Sequence, residues 1–82
     1  MKLFAIKDLK SGFENPFVMP NEGSAVRSFG EACKNTEAPM YKYPEDYELW
    51  IIGDWDHQEG DITTVDKKCI AYAHQYSTKE TK

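Results

Sequence analysis

The chain has 82 residues, of which 40% are hydrophobic and 29% are charged, and its net charge is −4. This length allows one domain, and the composition is that of a folded globular protein and not of a disordered chain. A negative net charge excludes a protein that coats nucleic acid through charge alone.

The charge is unevenly distributed along the chain. Residues 1–36 carry five basic and four acidic residues, residues 37–66 one basic and nine acidic, and residues 67–82 four basic and one acidic. The three segments therefore have charges of +1, −8 and +3. Nucleic acid would have to be held on a local patch with stacking aromatic side chains, or else the partner is a protein.

The first half of the chain predicts a strand, an edge strand and a helix. Residues 2–7 are apolar enough for a strand, and residues 8–12 have turn chemistry. Pro16 and Pro20 exclude a central strand, so the segment around residues 16–19 is predicted to be an edge strand or an extended segment. Asn21 is a candidate N-cap for a helix over about residues 22–34. The apolar stripe of that helix consists of Ala25, Val26, Phe29, Ala32 and Cys33.

The second half predicts mainly strands. After a loop or short helical turn over residues 35–46, Tyr47–Asp56 is the strongest strand candidate, with a bulge or kink at Gly53. A turn over residues 57–60 leads to a hairpin partner over residues 61–65. Residues 69–76 form a further strand, and residues 77–82 a polar, frayed tail. The predicted fold is α+β, with an antiparallel sheet of about four strands and one amphipathic helix on one face, as a single domain over residues 1–76.

The strand at residues 47–56 has two different faces. Tyr47, Leu49, Ile51 and Trp55 lie on one, and Glu48, Trp50, Ile52, Asp54 and Asp56 on the other. If the first face packs under the helix, Trp50 and Ile52 point away from it and need a cover. A homodimer interface, stacking on nucleotide bases together with Tyr72 or Tyr76, and covering loops are all compatible with the sequence.

Catalysis finds little support in the sequence, so we expect a protein that is not an enzyme. His57 and His74 stand in no nucleophile motif, and no cofactor motif is present. We also expect no metal site, since residues 54–65 lack the glycine and the final acid of a calcium loop. Cys33 and Cys69 are predicted to be reduced core residues, although a bridge between them stays open. The chain shows no signal peptide and no membrane-spanning run, so it is expected to stay where it is made.

Three stretches of the sequence resemble a known family. They are residues 15–32, residues 41–56 and the turn that closes at Gly60. Together they are similar to the small nonstructural protein of gokushovirus-type microviruses, which are phages with circular single-stranded DNA. The matching residues are Arg27 and Phe29 in the helix, Pro44, Glu45, Asp46, Tyr47 and Leu49 before and within the strand, and Ile52, Gly53, Trp55 and Asp56 at its end.

The resemblance implies a non-enzymatic accessory protein that acts in single-stranded genome synthesis or packaging. It implies location in the cytoplasm of the infected bacterium and absence from the mature virion. Members of the family are often described as DNA-binding, by analogy with a microvirus protein that directs replication toward single strands. The expected partners are therefore single-stranded or replicating phage DNA and a second copy of the chain.

Under this hypothesis, basic and aromatic residues supply the DNA contacts. The candidates are Lys2, Lys7, Lys10, Arg27, Lys34, Tyr41, Lys42, Tyr43, Lys67, Lys68 and Tyr72, with Trp50 as a further stacking residue. They cannot all share one face, and Arg27 has an alternative partner in Glu31 one helical turn away. The alternative function is a protein-binding adaptor. It would dock on a replication or capsid-assembly protein through the acidic residues 45–61 and the face of Trp50 and Ile52.

Overall fold

The computed structural model describes residues 1–76 and shows an antiparallel sheet with one long helix. The strands are β1 (Lys2–Asp8), β2 (Gly12–Phe13), β3 (Phe17–Met19), β4 (Tyr47–Asp56) and β5 (Asp61–Tyr72). The helices are α1 (Glu22–Cys33) and the short α2 (Pro39–Lys42), and 3-10 turns cover Pro44–Asp46 and Ala73–Tyr76. The predicted α+β class is confirmed. The predicted tail, residues 77–82, lies outside the described residues.

The sheet is built around β1 and β4, which pair with each other along most of their length. The strand order is β2-β1-β4-β5. β3 also pairs with β1, on the same side as β2 but at the other end of the strand. The edge position of β3 agrees with the prediction from Pro16 and Pro20, because a proline lacks the N–H that an inner strand must donate. β2 is an additional two-residue strand that the sequence patterns did not predict.

Helix α1 begins where its capping residue predicts. The side chain of Asn21 accepts a hydrogen bond from the backbone N–H of Ser24 at 2.8 Å, and Asn21 itself has extended backbone angles. This bond satisfies one of the N–H groups that a helix start leaves without a partner. Ala25, Phe29 and Cys33 on its inner side are buried, so the predicted apolar stripe does face the core.

The core lies between α1 and one face of the sheet. Phe4 and Leu49 are fully buried there, and Met40 of α2 closes one end. Tyr76 packs edge-on against Phe29, with ring centroids 6.1 Å apart. The 3-10 turn that carries Tyr76 therefore covers part of the helix.

The predicted strand over residues 69–76 is wrong in two respects. Residues 69–72 are not a separate strand, because β5 runs without a break from Asp61 to Tyr72. Residues 73–76 form a 3-10 turn instead of a strand. The continuous strand is possible because β5 carries extra residues relative to β4, between Thr64 and Lys68 and again at Ile70, which absorb the change in register.

Past Gly53 the β4–β5 hairpin continues as an extension, which we call the distal arm (residues 54–66). Lys2 pairs with Asp54 and Val65 packs against the core, and beyond Trp55 the arm has two strands within the described residues. The molecule measures 50 × 23 × 19 Å along its principal axes. Asp56 stabilises the turn of the arm, because its carboxylate accepts the backbone N–H of Gln58 at 3.0 Å and that of Glu59 at 3.3 Å. Gly60 has a positive φ of 72°, a conformation that suits glycine.

Gly53 marks the point where the arm leaves the core. A Cβ atom at this position would lie 2.9 Å from the carbonyl oxygen of Thr63 in the neighbouring strand. The two strands approach so closely here that only glycine fits without a shift of the backbone. The register shift between Ile51 and Gly53 confirms the bulge predicted at this site.

Candidate functional site

The sheet has a second face, opposite α1, which we call the open face. Strand pairing puts Lys7 beside Glu48 and Phe13, Ala5 beside Trp50, and both Cys69 and Tyr72 beside β4. Apart from Ala5, these residues are half-buried or exposed. The prediction that Trp50 points away from the core is confirmed, because Leu49 and Ile51 on either side of it are buried while Trp50 is only half-buried.

A lysine lies between two aromatic rings at the centre of this face. The Nζ atom of Lys7 is 5.3 Å from the ring centroid of Phe13 and 5.2 Å from that of Trp50. The two rings meet edge to face, with centroids 5.6 Å apart. A cation within about 6 Å of an aromatic ring is attracted by the electron-rich face of that ring. The rings thus hold a positive charge in a defined place on the open face.

Glu48 fixes the orientation of Trp50. The indole N–H of Trp50 donates a hydrogen bond to the Glu48 carboxylate at 2.9 Å. A buried or half-buried indole N–H usually needs such a partner, and the charged acceptor makes the bond stronger. The acid therefore has a local structural role on a face that otherwise presents aromatic side chains.

Tyr72 occupies the other end of the open face and is 41% exposed. Its ring stacks on that of His74, with centroids 5.4 Å apart and an interplanar angle of 27°. A hydrogen bond with the Cys69 thiol raises the pKa of Tyr72 above its usual value, and burial raises the pKa of Cys69. Both groups therefore remain protonated at neutral pH, and Tyr72 presents a neutral ring.

The two cysteines lie on opposite sides of the sheet. Cys33 is buried on the inner side of α1, while Cys69 lies next to Trp50 on the open face, and both are free thiols. Burial raises the pKa of Cys33 to about 11. The bridge that the sequence left open is not formed. Cys33 is a core residue, as predicted, but the predicted core position of Cys69 is wrong, because it is half-buried on the open face.

The candidate DNA-contact residues lie on several surfaces. Lys7 and Tyr72 belong to the open face. Arg27 and Lys34 are exposed on α1, which covers the opposite face, and Tyr41, Lys42 and Tyr43 follow in α2 and the residue after it. Lys67 and Lys68 are exposed in the irregular middle of β5, and Lys10 is exposed in the β1–β2 turn. Lys2 forms an ion pair with Asp54, with Nζ and Oδ1 3.1 Å apart.

Arg27 does not form the suggested ion pair with Glu31. Within the described part of the chain, the ion pair present is that between Lys2 and Asp54. Ile52 lies at the register shift of β4 and is half-buried. Part of the Trp50 ring is covered by the chain itself, because the Phe13 ring contacts it.

Phe13 is the residue of this site that sequence reasoning missed. It is 45% exposed and reaches the open face because β2 folds back along the end of β1. The available signal was the turn chemistry of residues 8–12 followed directly by an aromatic residue. Gly12 there has a positive φ of 110°, and the N–H of Lys10 donates to the Asp8 carboxylate at 2.9 Å.

The distal arm offers a different surface. Its backbone is joined to the chain start, where Trp55 N–H donates to the Met1 carbonyl at 2.8 Å. A recess of about 430 Å³ lies between Met1 and the arm, lined in part by Trp55, His57 and Thr63. Among residues 1–76, no three His, Cys, Asp or Glu side chains lie close enough together to hold a metal ion. No helix in this part of the chain is long and apolar enough to cross a membrane.

The fold and this face define a small α+β protein with an aromatic sheet surface. The chain belongs to the family described as Phage ORF5 protein, whose model matches residues 1–76. It is therefore a bacteriophage-type protein. Neither the curated proteins nor the solved structures include a match to the chain.

Proposed function

We propose that this phage protein is a non-enzymatic accessory factor that binds single-stranded DNA on its open face during genome synthesis or packaging. Such a factor acts in the cytoplasm of the infected bacterium and is absent from the mature virion. The assignment to a microvirus-type nonstructural protein rests on the sequence resemblance. The family match supports a phage protein.

The observation that carries the proposal is the presence of three aromatic residues on one face, two of them in contact with a lysine. Phe13, Trp50 and Tyr72 lie on the sheet face opposite the helix, and Lys7 lies over two of their rings. Proteins that bind single strands without sequence preference combine such aromatic platforms with basic residues, and stacking of one base contributes about 1–3 kcal/mol. Nine of the acidic residues lie in residues 37–66, and five of these belong to the distal arm.

Lys7 would have two roles in this mechanism. In the free protein its ammonium group lies over the rings of Phe13 and Trp50. A phosphate group competes for the same charge, and a move of Lys7 toward phosphate would expose the ring faces to bases. A single-stranded segment can present phosphate and unstacked bases together, whereas a duplex keeps its bases stacked. Preference for single strands follows from this exchange.

The test is fluorescence anisotropy of labelled single- and double-stranded oligonucleotides at low and physiological salt. Tyr72→Ala should weaken binding of the single strand by about tenfold, as expected for one lost stacking contact. Tyr43→Ala is the matched control, because Tyr43 is 61% exposed but lies beside α2. Lys7→Gln should lower the salt dependence by about one phosphate contact. No binding to either DNA at low salt would contradict the proposal, as would equal losses in both tyrosine variants.

We also propose that the chain forms a homodimer, with Trp50 and Ile52 at its interface. Such a dimer would use the same face as the DNA, so the two forms of binding would compete. Light scattering over a range of protein concentrations, with and without the oligonucleotide, measures this competition. A dimer that persists in the DNA complex would require an interface elsewhere.

A protein-binding adaptor is the second candidate function, and the position of Glu48 favours it. This carboxylate lies on the open face beside Trp50 and opposes phosphate there. A replication or capsid-assembly protein that docks on Trp50 and Ile52 could use the same acid as a hydrogen-bond acceptor. Weak dependence of complex formation on salt, with no affinity for DNA, would identify the adaptor.

A further inference from the structure

The outer edge of β5 has no partner strand within residues 1–76. β5 pairs with β4 on one side, and the opposite edge of the sheet is occupied by β2 and β3 alongside β1. An unpaired edge presents a row of backbone N–H and C=O groups that can bind another strand. Natural proteins usually block such edges with bulges, short strands or lysines, so the unblocked part of β5 is the part to consider.

Only the distal part of β5 is unblocked. The extra residues 65–67 interrupt the regular ladder, with the exposed Lys67 among them and the exposed Lys68 next to them. Ile70 is a second extra residue nearer the end of the strand. By contrast, Asp61–Thr64 pair with Asp56 to Gly53 in unbroken register. Ile62, in the middle of this segment, is 62% exposed. The regular edge thus combines an exposed apolar side chain with backbone groups that no strand within residues 1–76 pairs with.

The charge of the arm selects the kind of partner. The distal arm, residues 54–66, contains five acidic residues and no Lys or Arg. Lys2 neutralises one of them, Asp54. A second copy of the chain docked on this edge would bring an equally acidic arm beside the first, and like charges in close contact are costly. A basic strand would be attracted by the same field.

We propose that the β5 edge at Asp61–Thr64 binds a basic, extended segment of a partner protein as an added strand. Backbone hydrogen bonds supply the affinity, an apolar residue of the partner contacts Ile62, and lysines or arginines on the partner meet the acids of the arm. This interaction does not depend on DNA binding by the open face, and it gives the protein a second surface for a second partner.

The probe for the experiment is a synthetic peptide of alternating lysine and valine. Its binding to the full chain is followed through backbone amide chemical shifts, with affinity from the titration curve. We expect the largest shifts at Asp61–Thr64. A peptide N-methylated at alternate backbone nitrogens should bind at least tenfold more weakly, because each methyl group removes a strand hydrogen bond. Equal affinity for the methylated and unmethylated peptides would overturn strand addition.

Charge reversal separates the arm from general attraction to an acidic protein. Glu59→Lys combined with Asp61→Lys should reduce binding of the lysine–valine peptide at least tenfold. Glu31→Lys combined with Glu37→Lys is the matched control, since it makes the same change in net charge at exposed positions on and after α1. Equal losses in both variants, or shifts centred on the open face, would contradict the proposal. Self-association through the same amides would do so as well.

The same variants distinguish failure of this inference from failure of the DNA proposal. Reversal of the arm charges removes repulsion of phosphate, so affinity for the oligonucleotide should stay equal or rise. Tyr72→Ala should leave peptide binding within about twofold of the unaltered chain. If Tyr72→Ala reduces peptide binding as much as it reduces DNA binding, the peptide binds the open face and the edge is not its site.

Discussion

The two halves of the β4–β5 hairpin have different surroundings. From Tyr47 to Ile51, β4 lies between β1 and β5 and under α1, and every second residue is buried. From Asp56 to Ile62, the hairpin has two strands and exposed side chains. One continuous secondary-structure element therefore depends on tertiary packing at one end and on its turn and the Met1 contact at the other. The packed end should determine global stability, and the arm should open by itself.

The largest expected effect comes from truncation of the packed end. Leu49→Ala removes a fully buried side chain, and such changes typically cost about 2–5 kcal/mol. Ile62→Ala removes an exposed side chain of similar size in the arm and should change stability by less than about 0.5 kcal/mol. Urea unfolding followed by circular dichroism measures both. Similar losses in the two variants would mean that the arm is part of the cooperative core.

The second-largest effect should come from alkaline pH, which should destabilise the packed end. Burial raises the pKa of Cys33 from 9.0 to about 11, so the folded state favours the protonated thiol. The stabilisation of the folded state by the protonated Cys33 thiol is complete below pH 9.0 and is lost as pH rises toward 11. Its size is on the order of 2 kcal/mol. Burial, followed by the Asp8 carboxylate, raises the pKa of Tyr47 in the same direction.

Cys33→Val isolates the thiol from the other groups that titrate at alkaline pH. The free energy of unfolding of this variant, measured by urea at successive pH values from 8 to 11, should fall less steeply than that of the unaltered chain. Cys69→Val is the matched control on the open face, where the thiol is less buried. Parallel curves for the unaltered chain and Cys33→Val would show that the Cys33 thiol does not titrate with folding.

A change at the junction of the two halves should have an intermediate effect. In Gly53→Ala the new Cβ atom would meet the backbone carbonyl of Thr63, and the strands must separate to accept it. We expect a cost of about 1–2 kcal/mol, with faster amide exchange throughout residues 54–64. Gly60→Ala, in the turn, should cost less and leave exchange in β4 near Leu49 unchanged.

The smallest effect should come from the turn of the arm. Asp56→Ala removes the acceptor for the N–H groups of Gln58 and Glu59. The loss should be about 1 kcal/mol or less for these exposed bonds and should appear as faster amide exchange in residues 57–60. Asn21→Ala, which removes the cap of α1, should cost about 1 kcal/mol as global stability. A global loss from Asp56→Ala would show that the arm unfolds together with the core.

Much of the fold was predictable because its signals are local. Asn21 caps the helix through a residue three positions away, and the two prolines place β3 at an edge by the missing N–H groups. The two faces of β4 from Tyr47 to Ile51 follow from alternation of side chains along a strand, which the bulge before Gly53 then interrupts. Each of these signals depends on neighbours in the chain, and tertiary contacts here reinforce the local preference.

The errors lie where distant contacts override local patterns. The polar residues Asp66, Lys67 and Lys68 resemble a break between two strands, but β5 passes through them as a bulged strand because β4 lies beside it. Residues 73–76 alternate like a strand, yet they turn so that Tyr76 packs on Phe29. Phe13 reached the open face through a two-residue strand that is too short to give a sequence pattern.

The sequence by itself determined the fold class, the helix with its cap, and the direction in which Trp50 points. These follow from periodicity and capping, which act over a few residues. Only the tertiary structure decided that Lys7 lies between Phe13 and Trp50, that the two cysteines are on opposite faces, and that Lys2 pairs with Asp54. Those contacts depend on strand register and on bulges. Register is set by the balance of pairing across residues far apart in the chain, which no local pattern encodes.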